Sequence, residues 1–245
     1  MVTNSNLVVI QLLNDVGLGH CKRMLIYAKK LMSKGKSIKF LINENREDQI
    51  SCLSKSNVHF IKYNENMSFQ KQFDLAFNET FINDINWVID TKFDCSEWLL
   101  FLSNNNMNIT LFDNQTDARF IADQNIYPSP LFDKNDLSWE SYKGIISGGW
   151  EEILLSETIL KLNKKIEKEN YILFTFGGTD PNEITLQVMN ACIDILDKIP
   201  IKIIIGPGFR HKDKIIQLNK ELGNHFQLIE NCDDISTFIA KAKCI

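Results

Sequence analysis

Two glycine-rich loops hold the residues best suited to chemistry. The first reads Gly17-Leu18-Gly19-His20-Cys21-Lys22-Arg23 and follows a short apolar run, Leu7 to Leu13. Glycine tolerates positive φ and lets a ligand approach the main chain closely. A helix that starts there offers unpaired N–H groups and a partial positive charge, which suit a phosphate or an oxyanion. His20, at that helix start, has the side chain for general acid–base work. The second loop reads Phe176-Gly177-Gly178-Thr179-Asp180-Pro181-Asn182. It repeats the design of strand, paired glycines, polar residue and helix start. Asp180-Pro181 reads equally as a helix cap followed by proline at the first helical position. Asp90 and Asp113 each close an apolar strand run. A carboxylate beside His20 would orient its ring.

Several chemistries do not fit. A dinucleotide fingerprint G-x-G-x-x-G would need glycine at position 22, which is Lys22. The first loop is not a Walker A loop, because no G-K-[ST] follows it at that motif's spacing, and no G-x-S-x-G is present. Neither H-E-x-x-H nor an acidic calcium loop occurs, so no metal site is expected. His59, His211 and His225 are expected to be surface or packing residues, and Gly206-Pro207-Gly208 a tight turn.

The elements that must position these loops alternate along the chain. After the first strand, Met24, Leu25, Tyr27, Ala28, Leu31 and Met32 share one helical face, with lysines and Arg23 opposite. Strands are expected at Ser37 to Ile42, Val58 to Lys62, Trp87 to Asp90 and Ile109 to Asp113. Helices are expected at Glu47 to Ser54, Phe69 to Asn83 and Ser96 to Asn104. From Asn114 to Gly149 prolines and glycines interrupt the rhythm, which reads as the end of a first domain and a crossing segment. A helix over Ser156 to Lys168 would bridge to a second domain.

Alternation then resumes. Strands are expected at Tyr171 to Phe176, Ile201 to Ile205 and Phe226 to Glu230, with helices at Asn182 to Asp197, Lys212 to Leu222 and Ile235 to Ala242. Such a pattern predicts an α/β chain of two Rossmann-like, doubly wound domains, residues 1–155 and 156–245. The last residues, Lys243-Cys244-Ile245, read as the start of another strand. The second domain is therefore expected to be truncated, lacking about 70 to 100 residues. Ligands of doubly wound sheets bind at the carboxyl ends of the strands, so the two glycine loops are expected to face a common cleft.

Composition agrees with an ordinary globular protein. Of 245 residues, 44% are hydrophobic and 24% charged, enough apolar material for a core. The charges, 27 basic against 31 acidic, give a net of −4, which disfavours nucleic acid as the main partner. No apolar run approaches the roughly 20 residues of a membrane span, and no secretory signal opens the chain. Six scattered cysteines without C-x-x-C spacing suggest reduced thiols, hence a cytoplasmic location. Asn66, Asn78, Asn108 and Asn114 begin N-x-[ST] triplets, read as chance matches in an Asn-rich chain.

Together, Gly17-Leu18-Gly19-His20 with Arg23 and Ala28, and Phe176-Gly177-Gly178-Thr179-Asp180-Pro181 with Thr185 and Leu186, resemble the motifs of a sugar-nucleotide family. That family includes the UDP-sugar hydrolase of pseudaminic acid biosynthesis and proteins of spore coat polysaccharide synthesis. Ile89-Asp90 and Phe112-Asp113 resemble its strand-end acids. The resemblance implies a glycosyltransferase-B-like (GT-B-like) fold. It also implies a cofactor-free, metal-independent hydrolase that releases UDP from a UDP-sugar with inversion. It makes His20 the catalytic residue. Gly17, Gly19, Arg23, Asp90 and Asp113 would contact substrate, and Gly177, Gly178, Thr179 and Asp180 the nucleotide. An inverting glycosyltransferase with an acceptor other than water, or a sugar-nucleotide-binding protein without catalysis, remain alternatives. The chain departs from the family pattern at Lys92, where tyrosine is usual, at Glu183, where asparagine is usual, and over Glu151 to Leu155.

Overall fold

Residues 7–13, 18–77, 85–162, 166–230, 232 and 235–245 are described in a computed structural model. The chain divides into two units, residues 1–155 and 156–245.

The first unit is built on Leu7–Leu12 (β1), which is buried along its whole length. Its alternate residues serve opposite faces, as the pleat requires. Val8, Ile10 and Leu12 pack against Met24, Leu25 and Ala28 of the helix Leu18–Met32 (α1), and against Leu53 of Glu47–Lys55 (α2). Leu7 and Val9 pack with Trp87 and Ile89 on the other face. That face is covered by Phe69–Ala76 (α3) and by Trp98, Leu99 and Leu102 of Ser96–Asn104 (α4).

Strands Ser37–Asn43 (β2), Phe60–Tyr63 (β3), Asn86–Asp90 (β4), Asn108–Phe112 (β5), Gln124–Tyr127 (β6) and Ile145–Gly148 (β7) complete a parallel sheet. The strand order is β3-β2-β1-β4-β5-β6-β7. The winding reverses between β1 and β4. Crevices open at the carboxyl ends of such a strand pair, where ligands of doubly wound sheets bind.

In the second unit Ile172–Thr175 (β8), Ile201–Ile204 (β9) and Phe226–Ile229 (β10) form a parallel sheet in the order β10-β9-β8. Ile172 and Phe174 share a cluster with Met189 of Ile184–Ala191 (α6) and Ile215 of Lys212–Glu221 (α7). Tyr171 and Leu173 face the opposite side, with Phe238 and Ile239 of Ser236–Lys241 (α8). Cys244 bridges in parallel to Ile172, whose other side is paired with Ile201. Cys244 thus sits beside β8 through this single parallel bridge, on the side opposite β9.

Three sequence expectations need correction. The stretch from Asn114 to Gly149 is part of the sheet, supplying β6 and β7. Their polar residues hid them: Asn125 is buried because its amide bonds Arg119 O at 2.9 Å and Tyr142 Oη at 2.8 Å. The helix expected over Ser156 to Lys168 is only Glu157–Lys161 (α5), and Leu162 is already extended. Residues 163–165 lie outside the described residues. The helix expected to Asp197 leaves α geometry after Ala191 and continues as a short 3₁₀ turn, Ile193–Ile195. Beyond Phe77, the part of the helix expected to Asn83 lies outside the described residues.

Candidate active site

The reversal between β1 and β4 gathers four of the residues singled out from the sequence. Asp90 is the last residue of β4 and is fully buried. Its carboxylate receives a two-pronged bond from Arg23 on α1, Nε to Oδ2 at 2.9 Å and Nη2 to Oδ1 at 2.5 Å. Paired guanidinium–carboxylate bonds of this kind fix orientation as well as adding energy. Arg23 Nη1 reaches Asp113 Oδ2 at 3.3 Å, so the acid that ends β4 and the acid just after β5 share one cation. Burial pulls the guanidinium toward neutrality, but the hydrogen bonds and charges of Asp90 and Asp113 outweigh it and raise its pKa.

His20 Nδ1 lies 2.7 Å from Asp90 Oδ1. An ionised carboxylate only accepts, so Nδ1 carries the proton and donates it. The 3.1 Å approach of Arg23 Nη2 to the same nitrogen is then a packing contact, because both atoms are donors. In the neutral ring Nε2 then keeps its lone pair, and among the described residues nothing bonds it. A histidine held in one tautomer by a buried carboxylate, with its second nitrogen available, is equipped to take a proton from water or a hydroxyl.

Around this core, Gly19 lies in the first turn of α1, where a Cβ would meet nothing within 4 Å. Packing among the described residues does not demand glycine there. Gly17 lies outside the described residues. Asp113 adopts a left-handed conformation, φ 54°. Lys92, exposed, stands 3.9 Å from its Oδ2.

Asn114 was missed as a site residue by sequence reasoning. Its buried amide donates to Thr91 O and Phe93 O, both at 2.9 Å, tying the loop after β5 to the loop after β4. Its Oδ1 accepts from Thr116 N at 2.9 Å and Thr116 Oγ1 at 2.6 Å. The Asn114-Gln115-Thr116 triplet is thus a side-chain-closed turn, a signal the sequence does carry.

In the second unit, the loop after β8 leaves the backbone N–H groups of Gly177, Gly178 and Thr179 without partners among the described residues. All three residues are exposed. Gly177 has φ 76°, where a side chain would be strained. A Cβ at Gly178 would meet nothing within 4 Å. Successive unpaired N–H groups in such a turn make an anion-binding concavity.

Asp180 does not face that concavity. It is buried, and accepts from Ile184 N and Thr185 N at 2.9 Å, from Thr185 Oγ1 at 2.6 Å and from His211 Nε2 at 3.2 Å. Its carboxylate ties the loop to the start of the following helix. His211, expected to be a packing residue, is buried against it.

Burial alone would raise the pKa of Asp180, but these hydrogen bonds outweigh it and hold the carboxyl below its usual value. The charged form therefore stabilises the fold above the unfolded pKa of about 3.9, and that contribution disappears as pH falls through the lower folded value. Asp180→Asn should be less stable than the parent at pH 7, with the gap narrowing below about pH 4. Urea denaturation of both proteins from pH 7 to 3 measures it; a gap that stays constant removes the linkage.

Together the two sheets define a GT-B-like α/β fold. UDP-GlcNAc 2-epimerase from Neisseria meningitidis, bound to UDP-GlcNAc, superposes with a TM-score of 0.60 at 11% identity, covering 97% of this chain and 75% of that one. MurG of Acinetobacter baumannii gives 0.55 at 10% identity, over 97% and 73%. A glycosyltransferase of Rickettsia africae gives 0.54 at 13% identity, over 98% and 72%. By sequence, the chain is 22% identical over 237 residues to an uncharacterized protein of Methanocaldococcus jannaschii. The match covers 91% of this chain, which spans about half (47%) of that relative's length. No protein-family model matches the chain. Among the described residues no helix is long and apolar enough to cross a membrane, and no group of three or more His, Cys, Asp and Glu side chains could hold a metal ion.

Proposed function

We propose that the protein acts on a nucleotide-activated sugar, hydrolysing a UDP-sugar with release of UDP. The observation that carries this reading is His20 held by the buried Asp90, with Arg23 joining both to Asp113. Nε2 of His20 takes the proton of a water that attacks the anomeric carbon, and the sugar inverts as UDP leaves. Negative charge grows on the diphosphate at that moment, and the free N–H groups of Gly177, Gly178 and Thr179 offset it. The motif resemblance supports UDP as the nucleotide, in nonulosonic acid or surface polysaccharide synthesis in the cytoplasm. In this reading residues 1–155 supply the catalytic group and residues 156–245 hold the nucleotide. The fold is shared with glycosyltransferases, which favours, as a second reading, transfer to an acceptor other than water.

Incubation with a panel of UDP-sugars, with and without saccharide acceptors, separates the readings. UDP release in water alone supports hydrolysis, and release only with an acceptor supports transfer. Binding of UDP without any release would make the protein a sugar-nucleotide binder.

Gly178→Val tests the nucleotide loop. A Cβ there meets nothing within 4 Å among the described residues, so the substitution adds bulk where a ligand would approach the backbone. UDP affinity should fall at least about tenfold, the loss expected when hydrogen bonds to a charged group are blocked. Calorimetric titration with UDP measures it, and unchanged affinity would remove this loop from the site.

A further inference from the structure

We propose that His211 is a positioning residue for the phosphate-facing loop Gly177 to Thr179, acting through the buried carboxylate of Asp180. The proposal rests on the nucleotide reading above and deepens it.

The segment after β9, Gly206 to His211, is fitted against the underside of that loop. Gly208 N donates to Gly178 O at 2.8 Å. A Cβ on Gly206 would stand 2.5 Å from Gly178 O and 2.6 Å from Gly177 O, and one on Gly208 2.8 Å from Thr179 Cγ2. The two loops thus meet with no room for a methyl group, which is what Gly206-Pro207-Gly208 provides beyond a turn.

His211 closes the same junction from the side. Its ring is buried, stacks on Phe209 at 5.2 Å between centroids, and reaches Asp180 Oδ2 through Nε2. The carboxylate accepts, so Nε2 donates. Asp180 follows Thr179 directly and has φ 42°, a conformation held by its surroundings. Of its four donors, three belong to Ile184 and Thr185, in the first turn of α6; that helix begins after Glu183, not at Pro181 as the Asp180-Pro181 pair suggested. Only His211 comes from another loop. It is therefore the buried side-chain tie from Asp180 to the β9 side of the sheet; a second tie, Lys214 to Glu183, is exposed and four residues beyond Thr179. Free N–H groups bind an anion tightly only when their convergence is set beforehand.

The test uses the full chain and UDP as the probe, with calorimetric titration well below the melting temperature of each variant. His211→Phe keeps the volume and the stack on Phe209 but has no donor. His211→Gln places an amide donor near Nε2 but gives up the stack. UDP affinity is expected to fall about 10- to 100-fold in His211→Phe and to recover most of that loss in His211→Gln. Melting temperature should rank the two the other way, because phenylalanine fills the site better. A packing role alone would make affinity follow stability, and wild-type affinity in His211→Phe would overturn the proposal. His211→Leu serves the same purpose if the phenylalanine variant does not fold. Failure of the wild-type chain to bind UDP would overturn the nucleotide reading and this proposal together. UDP binding that is lost in Gly178→Val but kept in His211→Phe would overturn the positioning role alone.

Discussion

Replacing His20 by asparagine is expected to lower turnover of a UDP-sugar by about 10²- to 10⁴-fold, the range typical for loss of a general base. Asparagine is the informative replacement. Its amide can donate to Asp90 Oδ1 much as Nδ1–H does, so Asp90 and Arg23 keep their geometry. What disappears is Nε2, the nitrogen assigned to the proton of the attacking water. UDP affinity, assigned to the loop after β8, should change little. The loss should therefore appear in kcat, with KM for the UDP-sugar nearly constant. Steady-state kinetics on purified wild type and variant, with UDP titrations of each, provide both numbers. Near-normal turnover would remove the catalytic assignment. Joint loss of UDP binding and turnover would instead make His20 a phosphate-positioning group.

Much of this site was legible because its residues announce themselves by local pattern. His20 follows a glycine pair after an apolar strand, and Asp90 and Asp113 end strands that are otherwise apolar. Strand-end acids of a doubly wound sheet necessarily lie along one edge, so their proximity to His20 follows from topology. What the pattern could not supply is pairing across the chain. Arg23 read as part of a polar helix face and, by motif, as a substrate contact; nothing local showed that its guanidinium bonds Asp90 and Asp113, residues 67 and 90 positions away. His211 had no motif, because its partner Asp180 lies 31 residues earlier in another loop. Strands β6 and β7 were hidden for a related reason. They are four residues each, and their place in the sheet is decided by pairing to β5 and to each other, which outweighs weak local preference.

The largest stability effect is expected at Gln11, the one polar residue in β1 and fully buried there. Its Oε1 accepts from two buried indoles, Trp87 Nε1 at 2.9 Å and Trp98 Nε1 at 2.7 Å, and its Nε2 donates to Gln72 Oε1 at 3.3 Å. One side chain thereby joins β1 to β4, α4 and α3. Gln11→Leu fits the space and adds apolar surface, but it leaves two indole N–H groups in the core without an acceptor. An orphaned buried donor costs about 1–3 kcal/mol, so the pair should cost about 2–6 kcal/mol, a large share of a typical domain's 5–15 kcal/mol. Urea denaturation followed by tryptophan fluorescence should show a lower midpoint with an unchanged slope. Adding Trp98→Phe to Gln11→Leu removes one orphan, so the double variant should be more stable than the two single losses summed. Stability within about 0.5 kcal/mol of wild type, the range of ordinary surface substitutions, would show that the indoles find other acceptors. The consequence reaches the site. Gln11 pairs in register with Ile89, one residue before Asp90, and its strand leads to the helix that carries His20. The polar bond that costs most to remove thus locks together the two strands whose ends must hold the histidine and its carboxylate 2.7 Å apart.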